Sequence, residues 1–342
     1  MEENKKFPSE LRMDVVNKDW VVIATGRAKK PGDFAKEKKK RKFRPSRKCP
    51  FCDISSQEKP EVVFINGKKV SPTDKIPKDW TTVSFPNKYP AFIHSEILND
   101  RFEGPLYKVM NAIGHHEVVV TRDHKKQIAN LEKEKVKELI DVYQDRYLGM
   151  KDQRFVNYIA IFHNYGPLAG ASMEHNHSQI ISTPLIDSDL RGALLSAKDY
   201  FSANKKCIYC EMNKWEEESK QRIVYENERF LAVCPFASKT AFEVIISPKK
   251  HLPYFENITE EEKWDLADAF QTVTQKIYKG MGDPDYNFYL HTAPCDGESH
   301  DYYHWHFTIL PRTSNWAGFE IGTHMEISTI EPEKAAEYLR NQ

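Results

Sequence analysis

The sequence has no excess of charge of either sign: 50 Lys and Arg residues balance 50 Asp and Glu residues over 342 positions. That balance removes the long-range field that would gather a polyanion such as duplex DNA. Nucleic acid is therefore not expected as the main partner, although a local basic patch can still hold a small phosphate. Long apolar runs are lacking as well. The opening MEENKKFPSELRMDVVNKDW contains no apolar segment of a secretory signal, and no later stretch approaches the roughly 20 apolar residues that cross a bilayer. The expectation is a cytoplasmic protein with no membrane partner. Cysteine is sparse: of six, four form the pairs Cys49/Cys52 and Cys207/Cys210, leaving Cys234 and Cys295 over. A single C-x-x-C is a redox motif, a metal knuckle or a coincidence, and the pairs alone do not choose among these.

What is present is a repeat, and at this length about two domains are expected. Each half carries a C-x-x-C, then a β-rich run ending in a histidine, then a helical pattern, then H-x-H. The first copy reads CPFC, EVVVTRDH ending at His124, a helix from about Leu131, and HNHSQII from His175. The second reads CIYC, EVIISPKKH ending at His251, a helix from about Ile258, and HWHFTIL from His304. His124 precedes His175 by 51 residues and His251 precedes His304 by 53. An Asn-aromatic pair, Asn157-Tyr158 or Asn287-Phe288, stands ahead of each H-x-H. The unit boundary falls near 190–204, giving repeats over 1–190 and 191–342.

Helical periodicity places Ile128, Leu131, Leu139, Ile140, Tyr143 and Tyr147 on one face of the first helix. Leu266, Phe270, Val273, Ile277 and Tyr278 share a face of the second, which opens with a Thr259/Glu262 capping box. Runs such as VNYIAIF and FEVIIS read as strands. The fold class is α+β, a tandem duplication of antiparallel sheet flanked by helices. Lys36 to Lys48 carries nine basic residues in thirteen, which reads as a solvated loop or, if it acts, as a nucleic-acid patch.

On a strand, residues two apart share a face, so the two imidazoles of each H-x-H project together. Each repeat then offers two thiolates and two imidazoles, enough to close a tetrahedral zinc shell. The sets are Cys49, Cys52, His124 and His175 in one half, and Cys207, Cys210, His251 and His304 in the other. Such shells leave no position for water and are structural, and His177 and His306 remain outside them. His115 and His116 compete as ligands, but opposite Ala241-Phe242 they have no counterpart and read as strand or surface histidines.

The run GPLAGASMEHNHSQI over 166–180, with CPFC upstream, resembles the active-site signature of the galactose-1-phosphate uridylyltransferase family of the histidine-triad superfamily. It is similar also to the related ADP-glucose phosphorylases. The likeness runs from DWVVIATGRAKKP through FPNKYPAF to WAGFEIGT, nearly the whole chain. The resemblance implies that His175 binds metal, that His177 is the nucleophile, and that Gln179 binds phosphate. It implies also that Asn87 and Asn164 contact nucleotide and phosphate. Arg27 and Lys30 would bind the substrate phosphate, across a homodimer interface, and iron is an alternative to zinc in the second site. The chain departs from the family at Asn176, where many members have proline. It departs again at Thr323-His324, where the best-known uridylyltransferases have Tyr-Glu for the hexose, and at Lys88, where they have an acidic residue.

The chemistry is coherent on its own terms. A neutral imidazole attacks phosphorus well and leaves well once protonated. The site must then supply alignment and charge compensation: donors from Gln179 and Ser172, backbone N–H groups at the small Gly170-Ala171 run, and cations at Arg27 and Lys30. Thr308 stands where Gln179 does, so one catalytic centre is expected. The leading expectation is transfer of a nucleotidyl group from UDP-glucose to galactose 1-phosphate. The alternatives are phosphorolysis of ADP-glucose or a dinucleoside polyphosphate, with phosphate as acceptor, and a non-catalytic zinc-stabilised nucleotide- or RNA-binding protein.

Overall fold

The computed structural model describes residues 9–25, 31–34, 41–71 and 76–342, without the side chains of Pro31 and Asp33. Its centre is one eleven-stranded antiparallel sheet. From one edge the strands run Ile223–Glu226, Phe230–Val233, Val244–Pro248, His306–Pro311 and Tyr286–His291, and then, across the seam, Tyr158–Tyr165, His177–Thr183, His116–Thr121, Thr82–Pro86, Val62–Ile65 and Lys68–Val70. Read outward from the seam, the first five strands on each side follow the same order. The duplication is therefore built as two mirrored half-sheets fused into one. At the seam, Tyr286, Asn287, Phe288 and Tyr289 pair with Tyr165, Asn164, His163 and Phe162.

Helices Lys133–Met150 and Glu260–Met281 lie against one face of this sheet. Both begin nine residues after the histidine, two later than the periodicity suggests. The preceding residues form short 3-10 turns, Ile128–Asn130 and Phe255–Asn257. The anticipated apolar faces are buried, with Tyr278 half-buried, and the Thr259/Glu262 capping box forms. Ile161, Ile180, Phe288 and Phe307 meet these helices in the core. Alternation then sends Asn164, His177, Gln179 and Asn287 to the opposite face, which Cys49, Phe51, Ile54 and Trp80 cover in part. A smaller sheet joins the beginning and end of the chain: Glu10–Met13 pairs with Trp20–Ile23, which pairs in parallel with Ile327–Ser328. The expected unit boundary at 190/191 lies inside the helix Ser188–Asn204. No helix among the described residues is long and apolar enough to cross a membrane.

Register corrects three sequence expectations. The regular strands start at His177 and His306, so His175 and His304 lie in the approach to the strand, not on it. Each instead sends Nε2 to the carbonyl at the end of a neighbouring strand, Thr121 or Pro248, and Nδ1 to the cysteines. Next, Asn157 and Asn287 are not repeat-mates. Opposite His306 stands His291, whereas extending the Ser178–His163 pair by one residue places Asn164 beside His177. Asn164 therefore corresponds to His291. Finally, Val118 pairs with Gln179 and Ile245 with Thr308, which makes Glu243, not Phe242, the counterpart of His116.

Candidate active site and metal centres

Two groups of four side chains converge, Cys49, Cys52, His124 and His175 in the first repeat and Cys207, Cys210, His251 and His304 in the second. In the first, His124 Nδ1 and His175 Nδ1 are 3.3 Å apart, and sulfur-to-nitrogen separations are 3.2 to 3.5 Å. A tetrahedron built on zinc bonds of about 2.0 to 2.3 Å has edges of about 3.3 to 3.8 Å, so these groups fit around one ion. In the second, Cys210 Sγ lies 3.4 Å from Nδ1 of both His251 and His304. The imidazole tautomers agree with this use. His175 Nε2 donates to the Thr121 carbonyl at 2.7 Å and His124 Nε2 to the Arg44 carbonyl at 2.7 Å. His304 Nε2 donates to Pro248 at 2.9 Å and His251 Nε2 to Asp301 at 2.7 Å. All four rings therefore turn a lone pair on Nδ1 toward the cysteines, an outer-shell arrangement typical of metal-bound histidine. Thr121 and Pro248 occupy the same place in the two repeats.

His177 opens the central strand of the first half-sheet. Its Nδ1 donates to the His175 carbonyl at 2.9 Å, which leaves the lone pair on Nε2. Phe51, between the two cysteines of the knuckle, packs on the ring at 5.1 Å between centroids. Burial holds the imidazole below its usual pKa, with the His175 carbonyl opposing. The ring is thus held toward its neutral form, fixed in one tautomer and braced by the metal-site loop. His306 copies the arrangement, with Nδ1 3.2 Å from the His304 carbonyl, but Tyr209 and His291 crowd its ring. Its neighbours are Thr308 and Glu243 in place of Gln179 and His116.

Gln179 sits two residues on, facing the same side. Its Oε1 is 2.8 Å from His116 Nε2. His116 Nδ1 accepts the Ala91 N–H at 3.1 Å, which assigns the ring proton to Nε2 and makes that nitrogen the donor to Gln179. The amide NH2 of Gln179 is then turned away from the ring. Asn87 lies against this cluster: its backbone N–H donates to the His116 carbonyl and its Oδ1 accepts the Tyr89 N–H at 3.0 Å, so its Nδ2, 3.0 Å from the protonated His116 Nε2, makes no hydrogen bond there. His116 is therefore more than a strand histidine. Its position beside the glutamine depends on strand pairing, which no local motif displays.

Asn164 and the turn Gly166–Ser172 complete this side of the site. Gly166 has φ +84°, and a Cβ there would meet the Asp285 carboxylate at 2.3 Å, so this position requires glycine. The N–H groups of Gly170 and Ala171 donate within the turn, to the carbonyls of Pro167 and Gly166, both at 3.1 Å. They are consumed in closing it and do not face a phosphate as the small-residue run suggested. Ser172 is exposed beyond them. Arg27 and Lys30 lie outside the described residues.

Within the basic run, Arg41 bonds Asp283 at 2.6 Å and Asp285 at 2.9 Å and lies 4.1 Å above the Tyr165 ring. Arg44 supplies its carbonyl to His124. Arg41 is thus an anchor beside the site, while Lys42, Arg44, Arg47 and Lys48 are exposed and 36–40 of the run lie outside the described residues.

The galactose-1-phosphate uridyl transferase N-terminal domain model matches residues 1–186 and the C-terminal domain model matches 194–341. The chain belongs to this transferase family. ADP-glucose phosphorylase of Arabidopsis thaliana is 32% identical over 97% of the chain and 92% of its own length. A galactose-1-phosphate uridylyltransferase of Thermotoga maritima is 29% identical over 97% of the chain and 98% of its own length. The crystal structure of an Arabidopsis thaliana ADP-glucose phosphorylase with bound ADP-glucose superposes with a TM-score of 0.80 at 29% identity, covering 98% of this chain and 99% of that one. Both family domains are present in full order, in agreement with the fused half-sheets.

Proposed function

We propose that the protein transfers a nucleotidyl group between phosphate esters through a covalent nucleotidyl-histidine at His177. The observation that carries this reading is the His177 Nδ1–H donated to the His175 carbonyl, which selects the tautomer with its lone pair on Nε2. In the first half-reaction Nε2 attacks the α-phosphorus of a nucleotide sugar, forming P–N and breaking P–O. The electron pair leaves with the sugar phosphate, whose second pKa of about 6 lets it depart largely without a proton. In the second half, an oxygen of the acceptor phosphate attacks the same phosphorus and returns the pair to Nε2.

Gln179, with Oε1 held by His116, offers its NH2 to the developing charge, and Asn164 and Ser172 offer further donors. Asn87 contacts the nucleotide, and Arg27 and Lys30 neutralise phosphate. The paired thiolates and imidazoles suit zinc in both centres, with iron at the second as the outcome metal analysis must distinguish. The two repeats, 1–190 and 191–342, then divide the work: the first carries the chemistry. The six cysteines are free, in keeping with a reducing cytoplasm.

The family's own reaction, UDP-glucose with galactose 1-phosphate, is the first substrate pair. The 32% identity to an ADP-glucose phosphorylase, together with Lys88 and Thr323-His324, favours a second reading, ADP-glucose with phosphate. Assaying UDP-glucose, ADP-glucose and dinucleoside polyphosphates against hexose 1-phosphates and phosphate separates them. Gln179→Ala should lower kcat by about 10²- to 10³-fold, the usual loss of one oriented transition-state donor. An unchanged kcat in that variant removes Gln179 from the mechanism.

We infer a homodimer as well. Tyr89, Ile93, Ile97, Phe102, Leu106 and Tyr107 are exposed within one stretch of the first repeat, apolar side chains that a second copy would cover. Light scattering should give twice the chain mass of 39.9 kDa. A monomer at micromolar concentration overturns the inference.

A further inference from the structure

The two half-sheets meet along strands Tyr158–Tyr165 and Tyr286–His291, and the cross-strand pair Asn164–Asn287 lies on the face that carries His177. Asn287 Nδ2 is 2.9 Å from the Ala169 carbonyl and 2.7 Å from Asn164 Oδ1. A carbonyl only accepts, so the first contact fixes which arm of the Asn287 amide is NH2. The second contact then fixes Asn164: its oxygen accepts from Asn287, and its NH2 is the arm turned away from Asn287. Two residues earlier on the same strand approach, Asp285 accepts the Leu168 N–H at 2.7 Å and the Arg41 guanidinium at 2.9 Å. Asp285 and Asn287 thus grip the Gly166–Ser172 turn at two points, both from the second repeat.

We propose that Asn287 is a positioning residue for the reaction at His177, setting the amide of Asn164 with its donors toward the substrate phosphate while Asp285 holds the adjoining turn. This rests on the nucleotidyl-histidine reading. It gives the second repeat a part in the chemistry that its own His306, without a glutamine beside it, does not supply. An Asn164 amide free to rotate presents its oxygen to the phosphate part of the time, and repulsion between that oxygen and the phosphate raises the barrier. Asn287→Asp is the sharper perturbation, because a carboxylate accepts from Asn164 and turns its oxygen outward, besides repelling the Ala169 carbonyl.

The test is single-turnover nucleotidylation of the metal-loaded protein with UDP-glucose and, in parallel, ADP-glucose. N287A should lower the chemical rate about 10- to 100-fold with KM shifted less than about threefold, and N287D should fall below N287A. In an N164A background, N287A should change the rate less than about twofold, because its effect passes through Asn164. Multiplicative losses in the double variant, or N287D at or above N287A, overturn the proposal, since a merely structural seam residue gives those results. The isosteric N287D, measured alone and with N164A, carries the test if N287A loses metal or thermal stability. H177A is measured alongside. Transfer persisting there overturns the nucleotidyl-histidine reading itself, whereas abolished transfer with additive Asn287 and Asn164 effects overturns only the present inference.

Discussion

His177→Ala should abolish nucleotidyl transfer, with kcat falling by about 10⁴-fold or more, because the variant lacks the ring nitrogen that forms the phosphorus–nitrogen bond. The fold should survive. The ring's one hydrogen bond is to the His175 carbonyl, and its contact with Phe51 is replaceable by water. Intact-protein mass spectrometry at neutral or alkaline pH, after adding a nucleotide sugar without acceptor, should show a gain of one nucleotidyl group in the parent and none in the variant. His306→Ala should retain the adduct, since Thr308 and Glu243 take the places that Gln179 and His116 hold beside His177. A parent protein that gains no mass, paired with a His177→Ala variant transferring at the parent rate, would return His177 to a structural role.

The second large effect belongs to the metal centres, and it should differ between them. Cys207→Ser breaks the second cluster, whose ligands hold the approach to strand His306–Pro311 against helix Ile208–Ser219. Loss of a structural metal ion removes folding free energy, and for a chain of this size the thermal midpoint should drop by about 10 °C or more. The rate of the chemical step at 25 °C should change little. Cys52→Ser should cost comparable stability and also lower kcat. His175 is a ligand of that cluster, its carbonyl orients His177, and Phe51 of the same knuckle packs on the reacting ring. Metal analysis should find two equivalents per chain in the parent and about one in each variant. Fewer than about 0.5 equivalents per site in untreated protein, or equal kinetic damage from Cys207→Ser and Cys52→Ser, argues against this division of labour.

Much of this was legible in the sequence because it is local or repeated. The C-x-x-C pairs, the terminal histidines and H-x-H recur at matching intervals. A closed shell of two thiolates and two imidazoles needs only those residue types in chain order, and both clusters assemble with the ligands the repeat nominates. Apolar positions three and four apart likewise specified the two long helices, since burying one face requires that period whatever the partner.

What the tertiary structure alone decided is which residue stands beside which across strands. His116 lies 63 positions from Gln179, and Asn287 lies 123 from Asn164. Sequence offered no hint of either contact, because a ladder places residues side by side through a register that backbone hydrogen bonds and the packing of whole faces set together. The same cause misaligned the asparagines: Asn157 and Asn287 match in a linear comparison, yet the register puts Asn164 and His291 in equivalent places. Likewise, whether the Gly170 and Ala171 amides were free for phosphate depended on a turn closed by the Asp285 carboxylate behind Gly166. The sequence by itself determined the chemical parts of this protein and their duplication. The fused sheet decided how the second copy orients the first, because hydrogen-bond direction exists only between groups that folding has brought together.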